Sequence, residues 1–134
     1  MIKLYNFDSS FECTHIQSLA GHDSMVTAIE IIEESNYVAS ADDTGKIKFW
    51  DLRTMSCVQT YRFEFDILVN GIICTSGRSF CSVSNRLYMF NMTSLDMDNI
   101  TNKKEEEKPC DIEETEIVDC CYNRTFDELI LATK

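Results

Sequence analysis

The chain has 134 residues, 44% of them hydrophobic, and a formal net charge of −11 at pH 7, which suits one small acidic domain with an apolar core. An acid excess of this size argues against nucleic-acid phosphates and anionic membrane surfaces as partners, because both are held by surplus Lys and Arg. No apolar run approaches the roughly 20 residues of a membrane helix, and "MIKLYNFDSS" lacks the apolar stretch and cleavage site of a signal peptide, so a cytoplasmic location is expected.

In chain order, "IKLYN" (2–6) and "HIQSL" (15–19) read as a first pair of strands, with His15 a lone packing histidine. Four further runs are short and rich in β-branched and aromatic residues: "MVTAIEII" (25–32), "YVASA" (37–41), "KIKFWD" (46–51) and "CVQTYRF" (57–63). Between them stand "EESN", "DDTG" and "LRTMS", which carry the small polar residues that turns prefer. The apolar half of "GIICTSGRS" (71–79) predicts another strand and "TSGRS" a turn. It is no phosphate loop, since its glycines are one residue too far apart and Arg78 stands where a lysine is required. "NRLYMFN" (85–91) is again strand-like.

Residues 96–119 differ in kind. Ten acids face Lys103, Lys104 and Lys108, and the centre of the stretch, 99–113, includes Pro109 and few apolar residues. That composition predicts a solvated acidic loop inserted between repeating units, which reads either as a tolerated surface insertion or as a tether for a Lys/Arg-rich partner. "DMDNITNKKEEE" imitates a calcium loop but has Ile100 at the fifth place and Thr101 where a glycine must turn the chain. Beyond the acids, "EIVDCCYN" (116–123) and "DELILATK" (127–134) read as two more strands. No window keeps a helical period for ten residues, so the chain is expected to be all-β. The seven cysteines are odd in number, contain no Cys-x-x-Cys and lack finger-like histidines. They predict reduced thiols, with neither a metal site nor a cofactor.

A repeat underlies the strands. "MIKLYN", "KIKFWD" and "NRLYMFN" share one shape and end in the aromatic–polar pairs Tyr5-Asn6, Trp50-Asp51 and Phe90-Asn91. The aromatic residues are 45 and 40 positions apart, the period of a propeller blade with four strands. The middle unit also opens on Gly21-His22. On these residues the chain resembles the WD-repeat family.

The resemblance implies a partial β-propeller of about three blades, each a four-stranded antiparallel sheet. Residues 1–20 would be the outer strands of a first blade, 21–63 a full WD blade and 64–98 a degenerate blade. Residues 99–113 would be the acidic loop insertion, and 114–134 the first strands of a further blade. The family ties each blade together through hydrogen bonds among a His, a Ser/Thr, an Asp and the Trp. Residue by residue these are His22, Ser40 and Trp50. The acid position counted back from Trp50 falls on Thr44, so Asp43 is expected there, with Asp42 the alternative. The role is structural, not catalytic. Because a propeller closes with about four to eight blades, the chain is expected to be part of a larger ring.

Function follows from class. The family implies a non-enzymatic scaffold that holds other proteins through its blade-top loops and open edges. "DDTGKIKFWDLRTMSCVQTYRF" (42–63) is similar to WD-repeat proteins of ciliary and axonemal assemblies. The alternative is a substrate receptor or regulatory subunit of an enzyme complex. A hydrolase is disfavoured, as no nucleophile–base pair has motif support.

Overall fold

The computed structural model describes residues 1–32, 35–63, 68–74, 79–83, 87–91, 108–110, 117–123, 125–126 and 128–134. Every regular element among them is a strand. In order these are β1 (Ile2–Phe7), β2 (Cys13–Leu19), β3 (Val26–Ile32), β4 (Tyr37–Asp42), β5 (Lys46–Asp51), β6 (Ser56–Arg62), β7 (Gly71–Cys74), β8 (Ser79–Val83), β9 (Leu87–Asn91), β10 (Lys108–Cys110), β11 (Ile117–Asn123) and β12 (Glu128–Thr133). They form two four-stranded antiparallel sheets, β3-β4-β5-β6 and β7-β8-β9-β10, flanked by the hairpins β1-β2 and β11-β12. The all-β expectation and the four-stranded antiparallel unit of a WD blade are what the structure shows.

The turns explain why these residues make hairpins. In "DDTG" the carboxylate of Asp42 accepts from the amides of Thr44 and Lys46, and Gly45 takes φ 80°, a left-handed value that suits a residue without Cβ. The same device shapes the β1–β2 loop, where Asp8 accepts from the amides of Ser10 and Glu12 and Phe11 takes φ 60°. At the other end of the sheet, Arg53 N–H donates to Asp51 and Leu52 N–H to the Asn36 carbonyl, which ties the β5–β6 turn to the start of β4. Loop 20–25 and turn 42–45 meet at one end through Asp43 N–H on the Met25 carbonyl.

One difference concerns the acidic stretch. Residues 108–110, expected within the loop insertion 99–113, instead form β10 and pair with β9 as Lys108 with Met89, Pro109 with Tyr88 and Cys110 with Leu87. The physical reason is that β10 is a three-residue edge strand, the position that tolerates a proline and a lysine. The fourth strand of the second sheet therefore comes from beyond residue 98. Residues 99–107 and 111–113 lie outside the described residues. Phe90 and Asn91 end β9 opposite Phe80 and Ser79.

The sheets stack face to face through apolar residues at alternate positions. Ala39, Ala41, Ile47 and Phe49 of the first sheet share one core with Ile72 and Cys74 of the second and with Val69 just before it. On the opposite face, Val38 and Trp50 pack with Ile2 and Leu19 of the β1–β2 hairpin. Asn70 Nδ2–H donates to the Ile117 carbonyl at 2.8 Å, linking the second sheet to the last hairpin. There the fit is tight, for a Cβ on Gly71 would stand 2.6 Å from Cys120 Sγ. Gly71→Ala is therefore expected to destabilise the chain by about 1–3 kcal/mol through overpacking. Adding Cys120→Ala should recover most of that loss in chemical denaturation, and simple additivity of the two changes would refute the contact.

Candidate functional site

The polar cluster of the first sheet is built from three places in the sequence. Loop 20–25 brings His22 over the end of β4, while Ser40 and Asp42 stand two residues apart on β4 and so face the same side. Trp50 lies on the neighbouring strand β5, and Gly21 allows the loop to approach it closely: at φ 154°, a Cβ there would meet the indole at 3.2 Å.

The distances form one chain. Trp50 Nε1–H donates to Ser40 Oγ at 2.8 Å. Ser40 Oγ is 2.7 Å from His22 Nε2, and His22 Nδ1 is 2.7 Å from Asp42 Oδ2. A neutral imidazole protonated at Nδ1 satisfies every hydrogen: Trp50 donates to Ser40, Ser40 to His22 Nε2, and His22 Nδ1–H to Asp42. The other carboxylate oxygen of Asp42 accepts from Thr44 Oγ1 at 2.7 Å and from the two turn amides. Burial works to raise the Asp42 pKa, but the bonds from Thr44, His22 and the Lys46 amide outweigh it and hold the carboxyl below its ordinary value.

This geometry corrects the expected acid. Asp43 is not the partner of His22; Asp42 is. The reason is strand alternation, because Asp43 follows the last residue of β4 and its side chain leaves the face shared by Ser40 and Asp42. One oxygen of Asp43 is buried without a hydrogen bond.

A serine, a histidine and an aspartate in this order suggest an acyl-transfer triad. Here they cannot act as one. Ser40 is 0% exposed, its oxygen is capped by the Trp50 N–H, and the His22 side chain is 1% exposed. A nucleophile must meet its substrate, and this one is sealed. The arrangement instead joins a loop, two strands and a turn into one unit.

The repeat-ending pairs are less uniform. Asp51 is buried and held by Arg53, whose Nε and Nη2 donate at 3.1 Å to its two oxygens. That ion pair and the Arg53 amide keep the Asp51 carboxyl below its ordinary pKa. Arg53 also lies over the Tyr37 ring at 5.9 Å. Tyr5 is half exposed and meets His15 edge-on at 5.4 Å, and Asn6 is exposed opposite Thr14. His15 is a surface residue that packs edge-on against Tyr5 and bonds to Ser18. Sequence reasoning missed Thr44 and Arg53; the D-x-T and D-x-R spacings of the two turns were the available signal.

No family model matches the chain. Over 40 residues, 30% of this chain, it is 50% identical to human DDB1- and CUL4-associated factor 4. Over 100 residues, 72% of the chain, it is 27% identical to the WD repeat-containing protein 89 homolog of Dictyostelium discoideum. Over 66 residues it is 36% identical to the ribosome biogenesis protein YTM1 of Eremothecium gossypii. The relatives of this chain are WD-repeat proteins. The matched stretches are short, covering 8%, 26% and 15% of those three proteins. The four-stranded antiparallel sheet β3–β6 fits a WD blade, and the polar cluster ties its loop, strands and turn together.

Proposed function

We propose that the chain is a non-enzymatic, cytoplasmic scaffold that holds other proteins through the loops at the ends of its blades. The observation that carries this reading is the sealed network: the blade's best-placed nucleophile, base and acid are consumed in holding loop 20–25 to β4 and β5. What remains accessible at one end of that sheet includes Met25 and the Asp23–Lys46 pair. WD-repeat relatives support a protein-interaction role. Residues 96–119, with ten acids, would add a tether for a basic partner.

Affinity purification of the tagged chain tests the reading. Stoichiometric partners should be recovered, and Met25→Asp with Lys46→Glu should lower their recovery without moving the thermal midpoint. Recovery of partners unaffected by any loop substitution at either end would contradict it. A second reading, a substrate receptor beside DDB1 and CUL4, is favoured by the 50% identity to a protein named for that association. Titration with purified DDB1 distinguishes the two: saturable binding promotes the receptor, and its absence leaves the general scaffold. The ciliary setting rests on the wording of residues 42–63 alone, and imaging the tagged chain in ciliated cells tests it.

A further inference from the structure

Hydrogen bonds gather three segments at one end of the seam between the two four-stranded sheets. Loop 20–25 is held to turn 42–45 by the Asp43 N–H on the Met25 carbonyl at 3.0 Å. The turn is held to the start of the β6–β7 connection by the Phe63 N–H on the Gly45 carbonyl at 3.2 Å. Thr27 Oγ1 completes the set by donating to the Val69 carbonyl, at the far end of that connection.

One acceptor at this seam is left over. Asp43 turns away from the face of Ser40 and Asp42, toward the side on which Ala39 and Ala41 meet the second sheet. Its Oδ1 is buried without a hydrogen bond, a condition that folded proteins seldom leave unmet. The neighbouring charges are already used. Lys46 is bound to Asp23 at 2.7 Å, Lys48 donates to Thr60, and Asp42 is spent on His22 and the turn. No cation among the described residues pairs with Asp43. The β6–β7 connection, residues 63–70, contributes Glu64 and Asp66 and neither Lys nor Arg.

Two apolar side chains stand beside this acid. Met25 is 65% exposed and Leu68 48%. Met25 lies two residues before Thr27 and Leu68 one before Val69, so both flank the bond that joins the segments. The Met25 carbonyl also holds Asp43. Its unbranched side chain has three rotatable bonds and can move aside for a guest.

We propose that this seam receives an arginine with an adjoining aliphatic residue from an extended segment of a partner protein. The inference rests on the scaffold reading above and names the chemistry of one contact. The guanidinium enters between Met25 and Leu68 and donates to Asp43 Oδ1, while the aliphatic neighbour covers the two apolar side chains. Arginine suits a shielded oxygen better than lysine, because a guanidinium is more weakly hydrated and its donors sit in a fixed fork. The net charge of −11 draws such a segment in.

Fluorescence anisotropy of the full chain with a labelled Ala-Leu-Arg-Leu-Ala peptide, near physiological salt, is the test. Binding should saturate, and replacing the arginine by neutral citrulline should weaken it about tenfold or more, the worth of one charge-assisted bond. Asp43→Asn should weaken it by a similar factor without lowering the thermal midpoint of the chain. Glu12→Gln removes the same charge from the exposed β1–β2 loop and should leave the affinity unchanged. Absence of saturable binding would overturn the proposal. So would equal affinity for the citrulline peptide, or equal losses in Asp43→Asn and Glu12→Gln, which mark attraction to net charge alone. If Met25→Asp with Lys46→Glu still lowers partner recovery in that case, the scaffold reading stands without this contact; if it does not, both fall.

Discussion

Trp50→Ala is expected to lower the stability of the chain by about 3–5 kcal/mol, the range for truncating a fully buried aromatic side chain. Two losses combine. The indole is 1% exposed between the Val38 side of its own sheet and Ile2 and Leu19 of the first hairpin, so its removal opens a cavity at a junction between sheets. Its N–H is also the donor that caps Ser40, which is left with an unmet acceptor in a dry site. The change removes the chain's single tryptophan, so unfolding must be followed by circular dichroism. Trp50→Phe separates the two losses, keeping most of the apolar contact and deleting the donor. It should cost about 1–3 kcal/mol, the penalty of one unpaired buried group. A loss below about 1 kcal/mol for Trp50→Ala would show that the side chain is not in the core.

Much of this was legible in the sequence, for reasons that can be named. Strand existence followed from runs such as "KIKFWD", where alternation and β-branched residues agree with the buried positions Ile47, Phe49 and Trp50. The repeat of Tyr5, Trp50 and Phe90 marked equivalent strands β1, β5 and β9, and the matching irregularities of β1–β2 and β5–β6 give that likeness a structural basis. The acid of the network was missed by one residue because it was counted back from Trp50 across a turn, where spacing is loose. Counting forward from Ser40 along β4 gives Asp42, since residues two apart share a face. β10 was hidden by Pro109 and the surrounding charges, which disfavour a central strand but not a short edge strand. The exposure of His15 was hidden for a different reason: a strand shows its alternation in sequence, but not which face another sheet covers.

Asp42→Ala is the second change with a large expected effect. It strips the acceptor from His22 Nδ1–H, from Thr44 and from the amides of Thr44 and Lys46. Bonds to a charged acceptor are worth more than neutral ones, and the donors left behind are largely shielded from water, so about 2–4 kcal/mol should be lost. Asp43→Ala is the comparison, and should cost under about 1 kcal/mol, since one of its oxygens already lacks a partner. Equal effects, or the reverse order, would restore Asp43 as the network's acid. The pH dependence gives an independent sign. The Asp42 pKa is lowered in the fold, so its stabilisation is present above the ordinary carboxylate value and is lost as pH falls through the lowered one. The acid limb of the stability curve should therefore be shallower in Asp42→Ala than in the parent. It should not vanish, because Asp51, held by Arg53, titrates in the same direction.

The central claim is that His22, Ser40, Asp42 and Trp50 form one hydrogen-bonded unit inside the sheet β3–β6, and the lone indole N–H reports on it directly. Its exchange with solvent deuterium, followed by nuclear magnetic resonance, should occur only through global unfolding, with an opening free energy equal to that from denaturant titration. In Ser40→Ala the same proton should exchange faster than unfolding of that variant allows. An indole N–H that exchanges in the folded parent as fast as an exposed one, or that ignores the loss of Ser40, would contradict the account.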